Sequence, residues 1–290
     1  MSGGVIAEAV TTRQHVRWRG WVRLAADIGT ILCAVVLVAF VLAAIWPQLL
    51  TSQDPLAADR ALILSAPSAQ HPLGTDEIGR DVYARIVHGA RSSLVLGFGA
   101  VLISLFFGTI FGLVAGLSNR VVSTITLRLT DIGAAFPELV LAILILALFG
   151  GGLATATIAI GIAGIPYYVR VVRGETLRVR NSTFIEASRG MGLSRARVLG
   201  RHLLPNAVRP VVVIATIGLG GATLAGAALS FLGLGSPPPT PEWGAMLSNA
   251  RNFLTLGWWA AVFPGLAITL FVISTTVLGR RLQARLEGRG

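Results

Sequence analysis

The chain has 290 residues and a formal net charge of +11, yet only 13% of its residues are charged and 54% are hydrophobic. A mean hydropathy of +0.75 excludes an ordinary soluble domain, in which about a quarter of the residues carry charge. Several charge-free runs exceed the ~20 residues that cross a hydrocarbon core, so the charge balance is read as membrane topology before nucleic-acid binding.

The positive charge is all arginine, because the chain contains no lysine. A tail over 1–23 carries Arg13, Arg17, Arg19 and Arg23 but no apolar signal-peptide core. The first span is expected at 24–46. It holds Cys33, the single cysteine, which excludes an intrachain disulfide and a cysteine metal cluster. A charge-balanced segment over 47–91 follows, and with the first span it forms a unit over 24–91. A core region of five helices, 92–279, then has spans at 92–117, 131–149, 153–171, 210–232 and 257–279, and the tail 280–290 ends the chain.

The stretch 139–169 has no charge and reads either as one long helix or as two. Gly150, Gly151 and Gly152 in its middle favour a turn, since glycine lacks helix propensity. Arginine parity agrees. The N-terminal tail, the segment 173–208 and the C-terminal Arg280, Arg281, Arg285 and Arg289 all fall on the cytoplasmic side only if the triple glycine is an external turn. The expected fold is therefore all-α, with six transmembrane helices and both termini cytoplasmic. The second external segment, 233–256, contains Ser236-Pro237-Pro238-Pro239-Thr240-Pro241, expected to be extended.

The segment 186–206 is polar and arginine-rich. A short helix is predicted over 185–191 and a turn over 192–194. Ser194 would cap a second helix over 195–204, which Pro205 would end. Gly190 and Gly192 bare the backbone to a close partner. A basic loop held by anionic lipid is the bland alternative.

The residue order adds to this. Glu186-Ala187-Ser188, then Gly192, then Leu204-Pro205 resembles the EAA loop of permeases from ATP-binding-cassette (ABC) importers, with Ser188 in place of a second alanine. His71-Pro72-Leu73-Gly74-Thr75-Asp76 with Gly79-Arg80-Asp81 is similar to a segment of the dipeptide, oligopeptide and nickel permeases. So are Arg201 to Asn206, Ser230 to Gly235, Pro241-Glu242-Trp243-Gly244 with Met246-Leu247, and Phe263-Pro264-Gly265. The tail departs from the family, because Arg280 to Leu286 lacks its acidic end.

The resemblance implies a type I ABC importer permease fold in the plasma (inner) membrane. It implies a coupling hairpin built from Glu186, Ala187, Ser188, Gly190, Gly192, Leu193 and Arg195. The implied partners are a second permease, giving a heterodimer, two ATP-binding subunits and an extracytoplasmic substrate-binding protein, with lipid around them. ATP and magnesium would belong to the ATPase subunits, so this chain would need no cofactor and would not itself be an enzyme. Di- and oligopeptides are the implied cargo, with nickel chelate or haem as alternatives.

Other constellations are weaker. Asp76, Glu77 and Asp81 suit a hard cation, but interleaved Arg80 and Arg85 favour ion pairs and caps, and no metal is expected. Asp76, Arg80, Asp81 and Trp243 are candidate binding-protein contacts, because their loops are stiffened by proline. Glu138 is a candidate for the translocation path, since an ionisable group inside a span is costly without a purpose; Asp131 is expected to pair with Arg128 or Arg170. An ion-coupled transporter would need several such groups or repeated halves, and neither is visible.

Overall fold

The computed structural model describes residues 27–286, and their side chains apart from those of Arg189, Arg195 and Leu286. The tail 1–23 and Arg289 lie outside the described residues. Ten helices are named here in chain order: α1 Asp27–Ile45, α2 Val82–Leu117, α3 Arg120–Ala134, α4 Glu138–Phe149, α5 Leu153–Arg180, α6 Thr183–Gly190, α7 Arg195–Arg197, α8 Leu204–Phe231, α9 Trp243–Ala250 and α10 Trp259–Leu286. The all-α expectation holds, and among the described residues the only β-like pairing is an isolated bridge between Thr75 and Asp81.

Among the described residues five helices are long and apolar enough to cross a membrane, and α3 and α4 together pass the same test as one segment bent by 82°. This corrects the straight span expected over 131–149. Pro137 has no amide to donate and disfavours helical geometry at Phe136, so the helix stops at Ala134 and restarts at Glu138. At about 1.5 Å per residue, α4 is only ~18 Å long and cannot cross a ~30 Å core alone. The glycine turn forms as expected: Gly150 and Gly152 take φ of 88° and 135°, and the Gly152 amide donates to Leu234 O at 3.2 Å.

Other helices outrun their predicted bounds, α2 and α5 by the most. α2 begins at Val82, ten residues before the apolar run, because Asp81 caps it by accepting from the Ala84 amide at 2.6 Å. α5 continues to Arg180, and Arg180 Nη1 donates to Gly116 O at 3.0 Å, tying the ends of α5 and α2 together.

The centre of the molecule is the α2–α5 seam. Gly108, Gly112 and Gly116 recur every fourth residue and lie against Tyr168, Val172 and Thr176, which keep the same spacing on α5. One face of each helix is thus matched residue for residue, and the glycines let the backbones approach closely. α8 closes against α2 through Gly97 and Thr223 and through Leu96 and Gly226, and against α5 through Gly218 and Tyr168. α1 stays peripheral, attached through Phe40, whose ring meets Trp243 at 5.0 Å and Phe271 at 6.0 Å, and through an exposed Asp27–Arg281 pair at 3.3 Å.

Candidate functional site

The two distinctive polar regions stand at opposite ends of α2, a helix of 36 residues and about 54 Å. Asp81 caps its first turn, whereas Leu117 at its other end packs into the cluster that carries the α6–α7 hairpin.

At the hairpin end, Ile185 is fully buried with Val179, Val198, Leu203 and Ala207, while Leu193 and Leu117 pack around them. The Met191 amide donates to Ala187 O at 3.0 Å, and Gly192 turns the chain with φ of 77°, the left-handed region that favours glycine. α7 begins after Ser194, whose carbonyl accepts from the Val198 amide at 3.0 Å.

Pro205 does not end this second helix. Val198–Leu203 widens into a π-helical turn, with the Leu204 amide donating to Leu199 O, and the chain runs into α8 with Pro205 in its first turn. A proline is tolerated there because its missing amide is not required by the preceding turn. Asn206 Nδ2 donates to His202 O at 2.6 Å across this junction.

The hairpin thus has an inner and an outer face. Glu186, Ala187, Gly190 and Gly192 are exposed, as is helix-tip Met191. Ser188 departs from the expectation. It is buried, with its hydroxyl donating to Phe184 O at 2.8 Å, so it secures α6 and does not present itself to a partner. Leu193 is half-buried for the same reason, and the side chain of Arg195 lies outside the described ones. Phe184 and Met191 were missed by motif matching; both are exposed, and with Ala187 they fall at i, i+3 and i+7 on one helix face. Their signal was present as apolar residues in an otherwise polar segment.

At the other end of α2, residues 71–85 form a buried polar knot. Asp76 Oδ1 accepts from the amides of Ile78 at 3.0 Å and Arg80 at 2.9 Å, and its Oδ2 accepts from Arg80 Nε at 2.7 Å. Arg85 Nε lies 3.4 Å from the same oxygen, and its Nη1 donates to Pro55 O at 3.1 Å. Arg80 Nη2 donates to Glu77 Oε1 at 3.0 Å, and His71 Nδ1 lies 2.9 Å from Asp81 Oδ2. Burial, and then the charge of Asp76, raise the pKa of the Glu77 carboxyl above its usual range. Every carboxylate here has arginine, histidine or amide partners, and no metal-binding group of three acidic, histidine or cysteine ligands occurs among the described residues.

The second motif closes this end. Glu242 is buried and caps α9: its Oε1 accepts from the Gly244 amide at 2.9 Å and its Oε2 from Ala245 at 2.9 Å. Ser93 Oγ donates to Glu242 Oε1 at 3.2 Å and accepts from the Trp243 amide at 3.2 Å. The Trp243 indole donates to Ile86 O at 2.9 Å, and that of Trp259 to Thr75 O at 3.0 Å.

These contacts correct four assignments. Asp76, Arg80, Asp81 and Trp243 are 4%, 5%, 4% and 0% exposed. Each is buried within the chain, so they shape this surface from beneath and are not the exposed contacts expected. The segment 236–241 is not extended, because the Thr240 amide donates to Pro237 O at 3.3 Å and folds it into a turn.

Glu138 starts α4 at the break in the third crossing. It lines a cleft of about 510 Å³ with Phe136, Pro166, Tyr167 and Arg170. No hydrogen bond or ion pair engages its carboxylate among the described residues. Asp131 pairs with Arg170 at 3.0 Å, one of the two partners expected for it.

A multi-pass bundle with one broken crossing, a clamped helical hairpin at one end and an ordered polar cap at the other defines a membrane transport subunit. The fold agrees with solved transporters. Against a MetNI methionine ABC transporter in an inward-facing conformation the TM-score is 0.56 at 19% identity, covering 70% of this chain and 96% of that one. An amino acid ABC transporter gives 0.56 at 16% identity, covering 69% and 94%.

Residues 108–289 match the binding-protein-dependent transport system inner membrane component, and the chain belongs to that family, the permeases of ABC importers. It is 43% identical to a dipeptide transport system permease protein of Alkalihalophilus pseudofirmus, over 87% of this chain and 83% of that one. Identity is 39% to a di/tripeptide permease protein of Pseudomonas aeruginosa, over 93% and 90%. It is 38% to a glutathione transport system permease protein of Pectobacterium atrosepticum, over 97% and 92%.

Proposed function

We propose that this chain is one of two permease subunits in an ATP-driven importer of di- and oligopeptides. The peptide relatives support the cargo. A second permease completes the pathway beside Glu138. An extracytoplasmic binding protein delivers substrate to the end built around residues 71–85 and 236–244, and both termini are cytoplasmic. Two ATPase subunits, which hold ATP and magnesium, act from the other end.

The observation that carries this reading is the anchored hairpin. Its outer face, Phe184, Glu186, Ala187, Gly190 and Met191, is exposed, while Ile185, Val198 and Leu203 lock it to the ends of α2, α5 and α8. A push on such a knob moves three crossings together, the rigid-body type of switch that alternating access requires. Glu186→Lys tests the docking face without touching the buried anchor. The subunit should insert and assemble with the second permease, but ATPase attachment or peptide uptake per ATP should fall at least tenfold. Normal attachment and normal coupling would remove the hairpin from this role. Uptake of a labelled dipeptide, set against a nickel chelate, tests the cargo.

A further inference from the structure

The cavity beneath Pro237–Pro239 has a purpose that the fold alone does not require. It encloses about 380 Å³ between the Gly151–Gly152 turn, the end of α8 and α9. Arg80, Arg85, Ser230, Ser236 and Asn249 line it, and no acidic residue does. Asp76 and Glu77, which pair with the two arginines, line a separate and much smaller cavity with them. Neither Arg80 Nη1 nor Arg85 Nη2 takes part in the hydrogen bonds of the 71–85 knot. The hydroxyls of Ser230 and Ser236, residues 2% and 7% exposed, also lack partners.

Two buried hydroxyls without partners in one cavity ask for a reason, because such groups are rare in native proteins. Here guanidinium N–H groups, two hydroxyls and an amide line one space, a donor-rich set suited to an anion. Guanidinium groups match the planar geometry of a carboxylate in particular. Size decides what carries that carboxylate. An acidic side chain from a docking protein would bring a group of about two water volumes, on the order of 60 Å³, and leave most of the space unfilled. A volume near 380 Å³ is that of a small-ligand site, for which about 300–1,000 Å³ is usual. The rings of Pro237, Pro238 and Pro239 add an apolar wall for a side chain.

We propose that this cavity is a transit subsite that takes the carboxylate end of a short peptide as it leaves the binding protein. The proposal rests on the peptide reading above. It places the subsite at the delivery end, so a peptide meets Arg80 and Arg85 before it reaches the cleft at Glu138.

The test uses the complete permease–ATPase complex in nanodiscs without binding protein, with saturation-transfer NMR of the dipeptide Ala-Phe and of its C-terminal amide. Ala-Phe should bind, and the amide at least tenfold more weakly. Asn249→Asp places a fixed carboxylate beside the arginines and should weaken Ala-Phe at least tenfold. Asn249 is exposed and its side chain makes no hydrogen bond among the described residues, so the variant should fold, which its thermal midpoint checks. Ser236→Ala should weaken Ala-Phe about threefold. Absent binding, equal binding of acid and amide, or an unchanged Asn249→Asp variant overturns the subsite. Uptake of Ala-Phe with the binding protein present separates the two readings: uptake alongside any of those results overturns only the subsite, and no dipeptide uptake overturns both.

Discussion

Placing alanine at Gly112 should destabilise the protein through one contact. The added Cβ would lie 2.6 Å from Val172 Cβ, 2.8 Å from its Cγ1 and 2.9 Å from Val169 O. Carbon atoms are at their best separation near 3.5–4.0 Å, so α2 and α5 must part by about 1 Å. Overpacking of this kind costs about 1–3 kcal/mol. At about 2 kcal/mol the folded-to-unfolded ratio falls roughly 30-fold. In lipid no hydrophobic effect between helices compensates for lost packing.

Gly174 lies on the same α5 with no heavy atom within 4 Å of an added Cβ. Gly174→Ala should therefore be neutral or stabilising by about 0.4–1 kcal/mol, through the entropy of the unfolded chain. Both variants are compared by unfolding in mixed detergent–lipid micelles, followed by helical circular dichroism. Val172→Gly in the Gly112→Ala background should recover part of the loss, because it removes two of the three close atoms. Equal effects at Gly112 and Gly174, or no recovery in the double variant, would refute the close-packed seam.

Three further outcomes are expected. In a Cys33→Ser background, cysteines at the exposed Ser68 and Thr240 should react with an impermeant thiol reagent added outside, and one at Ser194 should not; outside labelling at Ser194 would overturn the assigned sidedness. Glu242→Ala leaves the Gly244 and Ala245 amides and the Ser93 hydroxyl without their acceptor, so a loss of about 2–4 kcal/mol in unfolding free energy is expected, and a Glu242→Gln variant should keep part of it. Replacing Pro237 to Pro239 by Gly-Ser-Gly loosens the turn over the cavity. ATPase activity stimulated by the binding protein should fall while basal activity persists, and unchanged stimulation would show that this loop does not take part in docking.

Most of the architecture was legible in the sequence, because crossing a membrane is a local requirement. About 20 apolar residues, a glycine triplet and the side on which arginines collect are each properties of a short stretch. The hairpin was legible for the same reason, since its turn at 192–194 and the residue order from Glu186 to Pro205 are local features. The break at Phe136-Pro137 was written in the sequence too. Hydropathy passed over it because apolarity measures what lipid accepts and is blind to a missing amide.

Tertiary structure alone decided the fate of the polar residues. The carboxylates of the 71–85 knot pair within it, as the interleaved arginines suggested, but the contacts that bury the knot come from distant stretches of chain: Arg85 reaches Pro55 O, and Trp259 reaches Thr75 O. Trp243 is buried because Ser93, Ile86 and Phe271 close around it from two other helices. Likewise Ser188 and Glu186 are two residues apart, and only the position of α6 against α5 and α8 turns one inward and leaves the other exposed. Burial belongs to the packed assembly of helices, and no single segment carries the information that fixes it.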